Sequence, residues 1–431
     1  MRRLTLPLLL ALSVPAGAET GPVTGAVTGA DAGFTAGAEP GLPSPESVAA
    51  ALDAQPWVLA AEARIAAARA EADALARGPH EFSLNAGYTR RSVDRDGRYD
   101  EYEATLSRAL RLPGKVALDR QIGAAGLDAA RNRAEDARHQ AALMLAESWW
   151  DWLGAAAEAR VDRQSVANHE AMLAAVRRRV ALRDAPQLEA DQTEGALGLV
   201  RFAAEQSAGR EALALARLKA RFPALALPSE PPEVPRPVLP DAAIATFGEK
   251  ILARSHEIAA AEAEARRSAA QAERLQRDRI ADPSLGIRLF SERGGAERGA
   301  GLVFSMPLGG GHRRALADRA IAEAGAARAE ATAARYAVNE MASADMTEAQ
   351  SRLTAWTRTR DGLDAQVAAL VKVRRGLAAG ELGLAEVLLA ERQVHDAFRA
   401  EVAARTAAQR ALVRLRIDSH ELWIADPPAG N

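Results

Sequence analysis

Near residue 300 the chain alternates between two kinds of side chain. Ala300, Leu302, Phe304 and Met306 stand on one side of the alternation, and Gly301, Val303 and Ser305 on the other. Period two with one apolar face predicts a β-strand over about 298–306. The same pattern predicts three more strands. Phe82, Leu84, Ala86 and Tyr88 alternate with Ser83, Asn85, Gly87 and Thr89 over about 82–92. Tyr102, Ala104 and Leu106 alternate with Glu101, Glu103, Thr105 and Ser107 over about 99–110. Leu285, Ile287 and Leu289 alternate with Ser284, Gly286 and Arg288 over about 283–291. Polar loops, Asp94-Arg95-Asp96-Gly97 and Glu292-Arg293-Gly294-Gly295, join each pair.

Each strand pair runs into a helical pattern of great length. Proline suits the first turn of a helix, so Pro113 and Pro307 predict strand-to-helix junctions, the second followed by Gly309 and Gly310. The helices are predicted over 113–182 and 307–379, uninterrupted by further proline, and each is about 100 Å long at the α-helical rise. Return helices follow over 186–221 and 384–422. Near the far end the spacing is heptad-like: Val367, Leu370, Val371 and Leu377 before the tip, then Leu384, Val387, Leu388, Val394 and Phe398 after it.

The body occurs twice. Gln55 to Glu62 aligns with Ser255 to Glu262, Arg111 to Lys115 with Ser305 to Gly309, Asp119-Arg120 with Asp318-Arg319, and Val176 to Arg178 with Val373 to Arg375. A tandem duplication of this kind dictates the architecture. The repeats span 45–222 and 241–425, each opening on a medium helix, the first over about 45–77, with a short tail at 426–431. Between the repeats, Pro223, Pro228, Pro231, Pro232, Pro235, Pro237 and Pro240 predict an extended connector over 223–240.

No segment after the N-terminus has the run of apolar residues expected of a membrane helix. If the chain spans a membrane, it does so as a β-barrel. Strands of this length and alternation suit that role, and two soluble hairpins packed on helices are the competing reading. Four strands cannot close a barrel and open edges are not tolerated in lipid, so closure demands several chains. Three copies give twelve strands.

Composition fits this picture. Hydrophobic residues make up 48% and aromatics only 4%, because alanine supplies much of the apolar count. Alanine favours thin, closely packed helices over a thick core. The net charge of −2 gives no sign of nucleic-acid binding. Arg2-Arg3, the apolar stretch Leu4 to Val14 and Ala16-Gly17-Ala18 read as a signal peptide over 1–18, and 19–44 as a flexible lead-in. The chain has no cysteine, hence no disulfide and no N-terminal lipid acceptor.

The duplication, the strand pairs, the junction Phe304 to Gly311 and the tip Gly380-Glu381-Leu382-Gly383-Leu384-Ala385-Glu386-Val387-Leu388 together resemble the TolC-like outer membrane efflux proteins. The resemblance covers residues 45–423. It implies a mainly α fold with a small β part, in which long helical hairpins form a periplasmic tunnel. The four strands per chain would contribute to a trimeric, twelve-stranded transmembrane barrel. It implies a passive exit duct in the outer membrane, with outer membrane lipid around it, a periplasmic adaptor docking at the helical tips and an inner-membrane transporter beyond. The tips match 179–187 and 377–385, which makes Arg183, Asp184, Pro186, Gly380, Glu381, Leu382 and Gly383 the adaptor-contact candidates. The first tip, Leu182 to Pro186, lacks the glycine of the second. Alternatives are the outer membrane component of type I protein secretion and a soluble periplasmic coiled-coil adaptor or structural protein. An adaptor should carry a compact β-rich domain splitting its helical hairpin, and the sequence offers only short strand pairs.

Candidate chemistry is sparse. Asp184 and Glu381 fall at the tunnel entrance and could form acidic rings, although ordinary solvated loop acids are the favoured explanation, with Arg183 neutralising Asp184. Glu101 and Glu103 should face a wet lumen. Trp149, Trp150 and Trp152 read as packing. The seven histidines are scattered and His395, beside Asp396, reads as surface, so no metal site or cofactor is expected. No phosphate loop or nucleophile elbow is present, and no enzymatic activity is expected.

Overall fold

The computed structural model describes residues 39–238 and 245–424. The expected signal peptide over 1–18, the lead-in as far as residue 38 and the tail over 426–431 lie outside the described residues. The first repeat runs α1 (Pro45–Asp53), α2 (Pro56–Arg77), β1 (Phe82–Val93), β2 (Gly97–Ala109), α3 (Lys115–Ala181) and α4 (Gln187–Arg221). The second runs α5 (Ala245–Arg254), α6 (His256–Arg277), β3 (Ser284–Glu292), β4 (Glu297–Ser305), α7 (Gly311–Ala378) and α8 (Leu384–Asp418). The described part of the connector, 223–238, contains no helix or strand. No helix among the described residues is long and apolar enough to cross a membrane.

Local chemistry explains where the boundaries fall and corrects several expectations. The medium helix of each repeat is in fact two. Pro56 cannot donate to the preceding turn and splits the first, and Ser255 caps a fresh start in the second by accepting from the Ile258 N–H at 3.2 Å. Pro113 and Pro307 do not sit in a first helical turn. They lie ahead of the helix, a residue before proline being biased away from helical backbone, and the turn into the helix is made afterwards by glycines with positive φ, Gly114 at 85° and Gly309 at 92°. Helices α3 and α7 therefore start at Lys115 and Gly311. Helix α8 stops at Asp418, four residues early, because Glu421 and Leu422 both turn back to donate to the Arg416 carbonyl. The end of the lead-in is packed rather than flexible: Leu42 is buried and the Trp149 Nε1–H donates to the Gly41 carbonyl at 2.8 Å.

The four strands form one antiparallel sheet in the order β1-β2-β3-β4. Within each repeat the strands form a hairpin, and β2 pairs with β3 across the repeat boundary. The long helices stand below, 67 and 68 residues in length. The main core gathers midway along them. Trp149, Trp150, Trp152, Leu145 and Leu153 of α3 pack with Leu52 of α1, Leu218 of α4 and Ile417 of α8. Trp149 and Trp152 meet edge to face, 5.2 Å apart. A smaller counterpart in the second repeat unites Phe247 and Ile251 of α5, Val338 of α7 and Leu412 and Leu415 of α8.

At the foot of the sheet an ionic network ties strands to helices. Lys115 is 1% exposed, and its ammonium contacts Asp282 at 2.7 Å, Asp278 at 2.8 Å and the Ile280 carbonyl at 2.8 Å. Asp282 also contacts His80 at 2.8 Å and accepts from the Leu112 N–H at 3.0 Å. Asp119 accepts from Arg111 and from Arg274, each at 2.7 Å. Burial alone would raise the Asp282 carboxyl, but the hydrogen bonds from Lys115, His80 and Leu112 outweigh it and hold the group at about 2. Its stabilisation is present above the ordinary value of 3.8 and is lost as pH falls through about 2. Lys115→Ala leaves two carboxylates at the seam without their shared cation. The expected loss of stability in detergent, read by circular dichroism, is about 3 kcal/mol, whereas removing the exposed Arg319–Glu323 pair should change it by under about 1 kcal/mol.

Candidate channel wall and helical tips

The ladder sorts the sheet into two unlike faces. Directly paired residues share a face, so Leu84, Leu106, Ile287 and Leu302 form one apolar row and Ala86, Ala104, Leu289 and Ala300 the next. Below lie Phe82, Leu285 and Phe304, and above lie Tyr88 and Tyr102, whose rings are 5.3 Å apart. From Phe82 to Tyr88 the band is about 20 Å tall at the strand rise. These side chains are bare: Leu84 is 70% exposed and Leu302 81%. No helix covers them, and an apolar patch of this extent marks a surface meant for contact.

The other face is polar. Thr105 lies between Asn85 and Arg288, and Glu103 between Gly87 and Phe290. Glu101 and Glu103 both stand on this face. They are neutralised there by arginines, Glu101 by Arg91 at 2.9 Å and Glu103 by Arg288 at 2.7 Å. Strands β1 and β4 are the outer strands, each paired on one side only.

The two helical tips fold alike from unlike sequences. After α3, the Arg183 N–H donates to Val180 and the Asp184 N–H to Arg179; after α7, the Gly380 N–H donates to Leu377 and the Glu381 N–H to Gly376. The left-handed residue is Gly380 at φ 75° in the second tip and Arg183 at φ 61° in the first. Arg183 does not neutralise Asp184. Arg179 does, at 3.5 Å, while also contacting Glu189 at 3.2 Å. Glu381 has no ion pair among the described residues. Pro186 caps α4 and Gly383 caps α8, while Leu382 folds back onto Gly376. The structure brings the two tips side by side: Leu384 of α8 packs with Val176 of α3 and Ala190 of α4. The junction residues Pro113, Pro307, Gly309 and Gly310 lie at the opposite ends of the long helices.

Two polar nodes between the repeats escape any reading by spacing. His395 is half-buried, not superficial. Its Nε2 contacts Asp162 at 2.7 Å, and Arg399 joins α8 to Glu158 and Asp162 of α3. Further up, the rings of His139, His420 and His256 lie 5.6 Å and 5.0 Å apart in succession, and His139 Nε2 contacts Asp418 at 2.9 Å. These histidines come from three distant segments, so only the fold assembles them. Beside Asp418 lies Asp345 of α7, both reached by Arg414. Burial and the neighbouring Asp418 push the Asp345 carboxyl up to about 7.

Two predictions follow from this geometry. Arg183→Gly should stabilise the first tip by about 1 kcal/mol and Gly380→Arg should destabilise the second by a similar amount, because a left-handed residue with a side chain carries that strain. Thermal unfolding of the two variants would measure both. A carboxyl raised in the folded state contributes stability at low pH that is lost as pH rises through about 7, so the melting temperature should fall across that range and Asp345→Asn should flatten the fall.

No family model and no curated protein sequence matches the chain. Solved structures do. A membrane protein from Pseudomonas aeruginosa superposes with a TM-score of 0.70 at 22% identity, covering 89% of this chain and 91% of that one. The outer membrane protein VceC from Vibrio cholerae gives 0.69 at 18% identity, covering 87% and 95%. The open state of the MtrE outer membrane channel from Neisseria gonorrhoeae gives 0.62 at 16% identity, covering 87% and 88%. Over 87–89% of its length, the chain has the fold of these membrane proteins.

Proposed function

We propose that this chain is one subunit of a trimeric exit duct in the outer membrane, with a periplasmic helical tunnel, serving a tripartite efflux pump. The observation that carries the reading is the sheet: an uncovered apolar band backed by a charged face, with both outer strands half paired. In lipid each half-paired strand leaves a row of unmet hydrogen-bonding groups, and pairing β4 of one copy with β1 of the next removes them. Three copies give a twelve-stranded barrel with Arg288 and Glu103 lining its lumen.

The helices carry the same incompleteness. Helix α3 packs against α1, α2, α4, α6 and α8 of its own chain, whereas α7 packs against α5, α6 and α8. Leu199 and Phe202 on α4 and Tyr336 on α7 stay exposed. In a closed ring these faces of α7 and α4 meet between neighbours. VceC is described as an outer membrane protein and MtrE as an outer membrane channel, which supports the same reading. The side-by-side tips are the proposed docking point of a periplasmic adaptor, through Arg183, Asp184, Pro186, Gly380, Glu381, Leu382 and Gly383. An inner-membrane transporter would feed the tunnel through that adaptor, and the duct itself performs no catalysis.

The membranes of cells making the chain, separated on a sucrose gradient and washed with urea, test the proposal. Retention in the washed outer membrane as a species of three chains is the expected outcome. Recovery in the periplasm or the urea supernatant would sink it.

A further inference from the structure

The foot of the sheet carries more positive charge than its acids balance. The segments 77–81, 108–112, 277–283 and 305–314 contain three acids, Glu81, Asp278 and Asp282. Lys115 engages both aspartates, and Arg274 also pairs with Asp278. Arg77, Arg108, Arg277, Arg279, Arg313 and Arg314 have no acidic partner among the described residues.

These arginines sit where the apolar band ends. Arg108 shares the lowest row of the apolar face with Phe82, Leu285 and Phe304, and its guanidinium lies 5.0 Å from the centre of the Phe82 ring. Arg313 reaches the carbonyls of Gly309 at 2.8 Å and Arg279 at 3.4 Å, which binds the start of α7 to the end of α6. Arg277 lies against Gly114 at the other junction. Bare apolar side chains stand among them: Leu308 is 90% exposed and Ile280 60%. Cation and apolar side chain are thus interleaved at one level, directly below a band of lipid-facing height.

We propose that this collar binds the phosphodiester headgroups of anionic phospholipids in the leaflet on the helical side of the sheet. The inference rests on the reading of the sheet as a barrel wall. Arginine pairs readily with phosphate oxygens, and juxtamembrane cations add attraction to an anionic leaflet residue by residue. The cations are spread over four segments with leucine and isoleucine between them. That spread matches a leaflet surface, where headgroup and acyl chain are met together, and does not match a closed pocket for a free ion.

The test uses the full chain in mild detergent, titrated with fluorescent phosphatidylglycerol and fluorescent phosphatidylcholine. Phosphatidylglycerol should bind roughly tenfold tighter, and raised salt should erode the preference. The triple variant R277Q/R279Q/R314Q should bring the two lipids close to parity, while R319Q/R352Q/R360Q, further along α7, should keep the preference. An unchanged preference in the first variant overturns the proposal, as does full displacement of phosphatidylglycerol by inorganic phosphate. If the triple variant misfolds by circular dichroism, R314Q alone together with the salt series decides the matter by the same criteria. Insertion into neutral phosphatidylcholine vesicles, scored by resistance to urea extraction, tests the barrel separately. Failure there defeats the barrel reading, whereas insertion without lipid preference defeats only the collar.

Discussion

The ammonium of Lys115 joins two chain segments 167 residues apart. It sits where the strands hand over to the helices, and it belongs to the first repeat while both its carboxylate partners belong to the second. A buried cation between two acids is a demanding arrangement, since any shift exposes an uncompensated charge. It therefore fixes the angle and register at which the sheet meets the rods. Arg111, Asp119 and Arg274 extend the same network one turn down the helices. The polar bonds at this seam are directional in a way that the alanine contacts below them are not. Small side chains permit close helix packing but specify sliding position weakly, so the charged seam supplies the register.

The second repeat has no lysine at the matching position; Gly309 stands there. The seam is thus built once per chain, between the two repeats. Internal duplication has not produced equal halves. The larger, tryptophan-rich core is centred on the first repeat and borrows α8 from the second, and the smaller one in the second is built on Phe247. One repeat carries most of the packing, and α7 in the other keeps Tyr336 exposed.

Much of this was legible in the sequence because the signals are periodic. Alternation located the four strands, and uninterrupted alanine-rich stretches located the long helices. Prolines misled where the turn itself is made by a glycine, as at Gly114 and Gly309, since a proline before a helix and a proline in its first turn look alike in one dimension. The equivalence of the tips was hidden because Arg183 adopts a conformation that glycine normally signals. The histidine node and the Asp162–His395 contact were invisible, because residues from distant segments leave no pattern in spacing. Even Lys115 gave no sign of burial, lying in a stretch whose neighbours are mostly polar or small.

The pairing of β2 with β3 has a kinetic side. These strands cannot meet until the whole of α3, α4, the connector, α5 and α6 has been made and brought back to the start, and closing so long a loop is slow. The hairpin of β1 and β2 can form early by local contacts, and it must then wait with the free edge of β2 unpaired. During that interval the chain is at its most prone to stick to other chains. The rods shorten the wait by folding locally and carrying β3 back to β2 as a rigid body. The long helices are thus also the scaffold on which the four-stranded sheet is put together.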